Sequence, residues 1–215
     1  SNGAQLVQDL ERSLGISVKV LGGVEEAELG WRALGLDLQE QSGTLGVIDI
    51  GGGSIELSVG VAGSRKPEAT LSIPLGAREL MRRYALHKPV EYTKSLGNLA
   101  SLSIEINSRA AEIQPRPDRC TVIGGTADVL LGAFNKIEGQ ELPAGTAVNR
   151  NWLASVFMRV ASLPVERRAE LGVPPDIADI APAGAAILLV LLDAWGLPVF
   201  SLSGRNILDG YLART

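Results

Sequence analysis

The residues with the most chemical content stand in one run, Val47-Ile48-Asp49-Ile50-Gly51-Gly52-Gly53-Ser54-Ile55-Glu56-Leu57. The apolar stretch reads as a buried strand that carries Asp49 near its end. Gly51, Gly52 and Gly53 then let backbone N–H groups come within hydrogen-bonding distance of an anion, with no side chain in the way. Ser54 adds a hydroxyl donor, and Asp49 is an oxygen ligand that could hold a divalent cation against phosphate oxygens. The same residues also read as a glycine-rich hairpin with a capping aspartate and no ligand. Upstream, Glu25, Glu26 and Glu28 follow Gly22-Gly23 at the start of a helical pattern. Carboxylates there interact favourably with the helix dipole, which explains them without any chemistry. Downstream, Val122-Ile123-Gly124-Gly125-Thr126 is again strand, glycine turn and helix start, an end that offers unpaired N–H groups to an anion.

Taken together these segments resemble a known family. Residues 49–57, DIGGGSIEL, are similar to the second phosphate loop DIGGGSTEL of the exopolyphosphatase/guanosine-pentaphosphate phosphatase (Ppx/GppA) family, with Ile55 where the family has threonine. Val20 to Leu29 resembles its strand–SGxEEARL–helix motif, whose second glutamate acts on the attacking water and corresponds to Glu26. Gly124 to Ala127 resembles the family's GGTA segment, and Ser72 to Ala77 its SLPLGA. Asp179, Ala183 to Ile187, Ser203 and Asp209-Gly210 resemble its ADxxxAGLAILL…SDGGLREGLL ending. Ile177, Gly204 and Leu208 stand where that pattern carries arginine, aspartate and arginine.

The resemblance implies an α/β fold, an actin-like (ribonuclease H-like) lobe with a central mixed sheet flanked by helices. Residues 1–215 are then a single domain, the C-terminal (second) lobe of a longer phosphatase, with the N-terminal lobe and its first phosphate loop outside this chain. The implied activity is release of terminal phosphate from inorganic polyphosphate or of the 5′ γ-phosphate from guanosine pentaphosphate. The resemblance assigns phosphate binding to Gly51, Gly52, Gly53, Ser54, Gly124, Gly125 and Thr126, and a magnesium ion to Asp49 and Glu56. Glu26 orients or deprotonates water. With one lobe alone, weak phosphate binding and no turnover are expected, since contacts made from one side in water are weakened by its high dielectric. Two rivals are a non-catalytic polyphosphate- or nucleotide-binding module, favoured by the departures at Ile55, Ile177, Gly204 and Leu208, and an actin-like ATPase or sugar kinase.

The elements that must position these residues follow from periodicity. Helices are expected at Gln5–Leu14, Val24–Leu34, Pro74–Leu86 and Tyr92–Glu112, after Gly124-Gly125-Thr126, within Asn151–Gly172, over Asp176–Trp195 with a break or start at Pro182, and at Ile207–Ala213. Strands are expected around Ile16, Val18 and Val20, in a meander over Thr44–Ile73, and at Arg119–Ile123 and Val199–Ser203, with a loop over Glu138–Gly145. Alternating strands and helices imply a layered α/β domain.

Composition narrows the partners. With 46% hydrophobic and 20% charged residues the chain can bury a sizeable core. A net charge of -4 gives no global attraction to nucleic acid or an anionic membrane, and 4% aromatics are too few for a base-stacking surface. One cysteine and one histidine exclude an intrachain disulfide and a His-rich metal site, which fits a reducing cytoplasm. The first fifteen residues read as a polar amphipathic helix rather than a signal peptide, and Ile180–Leu192 is shorter than the ~20 residues of a membrane span. Arg78, Arg82, Arg83, His87 and Lys88 form a basic patch that could steer a polyanion or be merely solvated. Trp31, Trp152, Trp195 and Cys120 read as packing residues. Self-association into a homodimer, through the surface that would otherwise meet the missing lobe, is left open.

Overall fold

A computed structural model describes residues 3–35, 42–86, 88–89 and 92–213. Its centre is a six-stranded mixed sheet in the order β3-β2-β1-β4-β6-β5. The strands are β1 (Thr44–Ile50), β2 (Ile55–Val61), β3 (Ala69–Ile73), β4 (Arg119–Ile123), β5 (Ala147–Asn149) and β6 (Val199–Leu202). β1, β4 and β6 run parallel, while β2, β3 and β5 pair antiparallel to their neighbours. The expected meander over Thr44–Ile73 is the β1-β2-β3 half of this sheet. β1 is buried on both faces, which is why its sequence is a nearly unbroken apolar run rather than an alternation.

Helices α1 (Gly3–Leu14), α2 (Gly23–Gly35), α3 (Ala77–Arg83), α4 (Tyr92–Ala110), α5 (Gly124–Glu138), α6 (Arg150–Ser162), α7 (Ala181–Trp195) and α8 (Ile207–Leu212) complete the layers. The larger core joins the sheet to α7, which is buried from Ala181 to Leu192 and so reads as apolar all round. A smaller cluster of Trp31, Leu34, Leu45, Val47, Ala62 and Ile123 holds α2 on the opposite face. Trp31 also donates its N–H to Ser64 O at 2.9 Å. Trp195 is buried and Trp152 packs on Phe134, so the tryptophans serve as packing residues. Burial pushes the Cys120 thiol up to about 12, which leaves it inert.

The structure departs from the sequence expectation in three places: residues 16–22, the start of α3, and β5. Residues 16–22 form no strand: Ile16 and Val20 are exposed, and no described strand offers the segment a ladder partner, without which alternation alone does not make a sheet. α3 starts at Ala77 rather than at Pro74, with Gly76 as its extended N-cap; α7 starts at Ala181 with Pro182 in its first turn, the break expected at that proline, after a 3-10 turn at Pro175–Ile177. The helices expected within Asn151–Gly172 are α6 and a 3-10 helix, Val165–Leu171. β5 has no counterpart in the sequence reading; its three residues exist because β6 leaves an edge to pair with. His87 lies outside the described residues.

One buried cation fixes the segment between α6 and α7. Arg168 is fully buried and donates to five carbonyls: Leu86 and Ala178 at 2.7 Å, Val160 at 3.1 Å, and Leu163 and Asp179 at 3.2 Å. Desolvation lowers its pKa, opposed by the charges of Asp179 and Glu166. The carbonyls replace the hydration that burial removes, and they tie the loop carrying Ile177 and Ile180 to the end of the α3 region.

Candidate active site

β1 ends at Ile50 and the chain turns through Gly51–Ser54 into β2, closed by Gly51 N donating to Ser54 O at 3.0 Å. The loop is held from behind by α3, whose Ala77 and Arg78 N–H groups donate to Gly51 O at 2.9 Å and Gly52 O at 3.0 Å. This explains the residues preceding α3: a Cβ on Gly76 would lie 2.4 Å from Gly52 C and O, so the two backbones touch directly. The N–H groups of Gly52, Gly53 and Ser54 have no acceptor among the described residues. Gly51 is corrected as a phosphate donor, because its N–H is spent on the turn.

The second glycine turn lies beside the first because β4 pairs in parallel with β1, placing Asp49 opposite Ile123. Gly124 has φ +71°, and a Cβ there would stand 2.5 Å from Asp49 Oδ1. Only glycine provides both that left-handed backbone and that clearance. Its N–H donates to Arg205 O at 3.0 Å, so Gly124 too is corrected as a phosphate donor. The hydroxyl of Thr126 donates to Ile50 O at 3.2 Å and pins α5 to the end of β1. Gly125 is exposed and Thr126 buried, and both stand in the first turn of α5, where N–H groups lack helical partners.

Carboxylates converge on the same place. Asp49 and Glu56 are cross-strand partners, so their side chains share one face of the sheet. Burial first, then the charges of Glu56, Glu26 and Asp128, push the Asp49 carboxyl up to about 7. A metal-holding Asp49 would be expected to face solvent; it is half-buried against Gly124 instead. Glu56 is buried and accepts from Ser72 Oγ at 2.8 Å. Burial raises its pKa, the hydroxyls of Ser54 and Ser72 oppose the rise, and Glu26 adds to it. α2 reaches this corner through Gly23, where a Cβ would come 2.2 Å from Ser72 Oγ and 3.7 Å from Glu56 Oε1.

The structure separates the adjacent glutamates of α2. Glu25 accepts from Gly22 N at 3.3 Å and pairs with Lys19, the helix-end role that needs no ligand. Glu26 is half-buried, and its charge acts on Asp49 and Glu56. The basic patch divides in the same way. Arg82 and Arg83 pair with Glu79, and Arg83 also with Glu105. Arg78 has no carboxylate partner among the described residues and lies over Gly52, its Nε 3.1 Å from where a Cβ would stand. With Gly52, Gly125 and Thr126 it lines a recess of about 300 Å³ whose far wall is Val129, Ile177 and Ile180. Sequence reasoning did not separate Arg78 from its neighbours, although Glu79 three residues before Arg82 signalled which arginines would be neutralised. It also missed Asp128, whose position one turn into α5 was the available signal; burial, then Asp176, raises its pKa.

Compared with models of known protein families, residues 1–213 match the Ppx/GppA phosphatase family. The chain belongs to this family. Among curated Ppx/GppA relatives, it is 26% identical to exopolyphosphatase 1 of Mycobacterium leprae over 219 residues, covering 99% of this chain and 63% of the relative. It is 27% identical to exopolyphosphatase 2 of Mycobacterium tuberculosis over 205 residues, covering 91% and 63% respectively. The chain thus spans just under two thirds of the length of these relatives. Among solved structures, a PPX-GPPA enzyme of Aquifex aeolicus superposes with TM-score 0.81 at 20% identity, over 100% of this chain and 71% of that one. An exopolyphosphatase from Cytophaga hutchinsonii gives TM-score 0.81 at 19% identity, over 99% and 69%. The mixed sheet flanked by helices is the actin-like fold of the Ppx/GppA proteins. No helix among the described residues is long and apolar enough to cross a membrane.

Proposed function

We propose that this chain supplies the phosphate-gripping half of a phosphohydrolase that releases terminal phosphate from a phosphoanhydride, either inorganic polyphosphate or guanosine pentaphosphate. The observation that carries this reading is the set of acceptor-less N–H groups at Gly52, Gly53 and Ser54 beneath Arg78, beside the carboxylates Asp49 and Glu26. A glycine-only hairpin explains the backbone but neither the arginine above it nor the acidic groups around it.

In this reading the N–H groups of Gly52, Gly53, Ser54, Gly125 and Thr126, with Arg78, hold the phosphoryl oxygens and neutralise their charge. Glu26 accepts a hydrogen bond from the attacking water, orients it in line with the departing phosphate, and takes its proton. Asp49 would hold a magnesium ion, with Glu56 behind it as a buried charge fixed by Ser72. Among the described residues no cluster of three or more metal-ligating side chains occurs. That suits magnesium, which takes one or two carboxylates and completes its shell with water and phosphate oxygens. When bound, the ion supplies charge neutralisation of the phosphate oxygens. A second lobe, of the kind the Ppx/GppA resemblance implies, would close the site from the other side and exclude water.

The apolar wall at Ile177 and Ile180 favours one alternative, a module that binds phosphoanhydride without turnover, because it places no second cation opposite Arg78. Phosphate release from polyphosphate, guanosine pentaphosphate and ATP, measured side by side with the full-length protein and magnesium, tests both. Release from either of the first two above ATP supports the phosphatase. Tight binding with no release from any substrate supports the module.

A further inference from the structure

A second recess, of about 650 Å³, lies apart from the one beside the phosphate loop. It lies over the β4-β6-β5 half of the sheet, which the proposed reaction does not use. Its floor is a row of small side chains that register places side by side across three strands: Thr121 opposite Ser201, and Ser201 opposite Ala147. Such a floor holds hydroxyls where a packed helix would require large apolar groups. Leu34, Leu131, Leu142 and Val199 contribute apolar walls.

Arg119 stands two residues before Thr121 on β4 and lines the same recess. Its Nε and Nη2 are buried and have no hydrogen-bond partner among the described residues. These two atoms form the side of the guanidinium that normally meets a carboxylate or phosphate in a bidentate pair. A buried charged donor without an acceptor is strongly unfavourable, so the arrangement is completed only when an acceptor arrives. The carboxylate lining the recess, Asp209, already accepts from Asn206 N at 2.9 Å and pairs with Arg205 at 3.5 Å.

We propose that this recess is a second anion-binding site, taking a small molecule that carries a phosphate or carboxylate on a compact apolar body. Arg119 turns its guanidinium to the anion, Thr121 and Ser201 donate from the floor, and the leucines cover the body. The site reaches the phosphate-loop region through the backbone, since the carbonyl of Arg205, on its rim, accepts from the N–H of Gly124.

The test is a titration of the 215-residue chain with phenyl phosphate and with benzoate, followed by calorimetry and by amide chemical shifts. Expected are shifts at Thr121, Ser201 and Gly204 with both probes, retained in R78Q and lost in R119Q, with affinity falling roughly tenfold or more. S201F fills the recess while keeping Arg119, and should abolish the same shifts; it decides the matter where R119Q fails to fold. Shifts confined to Gly52–Ser54 and Gly125, or recess binding unchanged in S201F, would overturn the proposal without touching the phosphate-loop reading.

Discussion

Replacing Asp49 by asparagine should stabilise the fold at neutral pH while removing its response to magnesium. Burial and the neighbouring carboxylates raise Asp49 from 3.8 to about 7. A carboxyl whose folded value lies above its unfolded one binds more protons in the native state, so stability falls as pH rises between the two values. That difference of about 3 pH units corresponds to about 4 kcal/mol lost on passing from below pH ~4 to above pH ~7. The amide of the D49N side chain carries no such charge. Its own fixed desolvation cost is removed by comparing two pH values: relative to wild type, D49N should gain about 3 kcal/mol between about pH 4.5 and about pH 8. Urea unfolding in EDTA at both pH values measures this directly. Saturating magnesium at about pH 8 should then raise the stability of wild type and leave D49N nearly unchanged. Parallel pH profiles for the two proteins would refute the reasoning, since they would mean that Asp49 is not a desolvated carboxylate among like charges.

Three further outcomes follow from the same geometry. R78Q should weaken phosphate binding roughly ten- to hundredfold, by calorimetry, while R82Q, whose arginine is already paired with Glu79, leaves it unchanged. R168M leaves five carbonyls without their donor and should cost at least ~3 kcal/mol in urea unfolding, whereas R82M stays within ~0.5 kcal/mol. G124A forces a methyl group to within 2.5 Å of Asp49 Oδ1 in a left-handed backbone, so it should destabilise the chain by ~1 kcal/mol or more and weaken the magnesium response.

Much of the fold was legible because its elements obey strong local rules. The apolar run of β1, the alternation of β2 and the strand-to-glycine-to-helix signal at Ile123–Thr126 each have a short-range cause. Elements decided by a neighbour were not legible. Ile16–Val20 alternates like a strand but finds no ladder among the described residues, while Ala147–Asn149 carries no strand pattern and is paired only because β6 lies beside it. The candidate site divides along the same line. Its glycines and Asp49 stand out in sequence, and the resemblance already singles out Glu26; what only the structure adds is that Glu25, about 100° around the helix, is taken up by Gly22 and Lys19 while the charge of Glu26 acts on Asp49 and Glu56. The resemblance assigns Gly51 and Gly124 to phosphate, and only the three-dimensional arrangement shows their N–H groups engaged elsewhere.

In the proposed reaction Glu26 acts on water at a phosphate held by the Gly52–Ser54 loop. The most direct measurement is magnesium-dependent phosphate release by wild type and E26Q of the full-length protein, with substrate binding followed in parallel. In E26Q kcat should fall by ~100-fold or more while substrate affinity changes little. Turnover equal to wild type in E26Q would contradict it and leave Glu26 as a charge near a helix end.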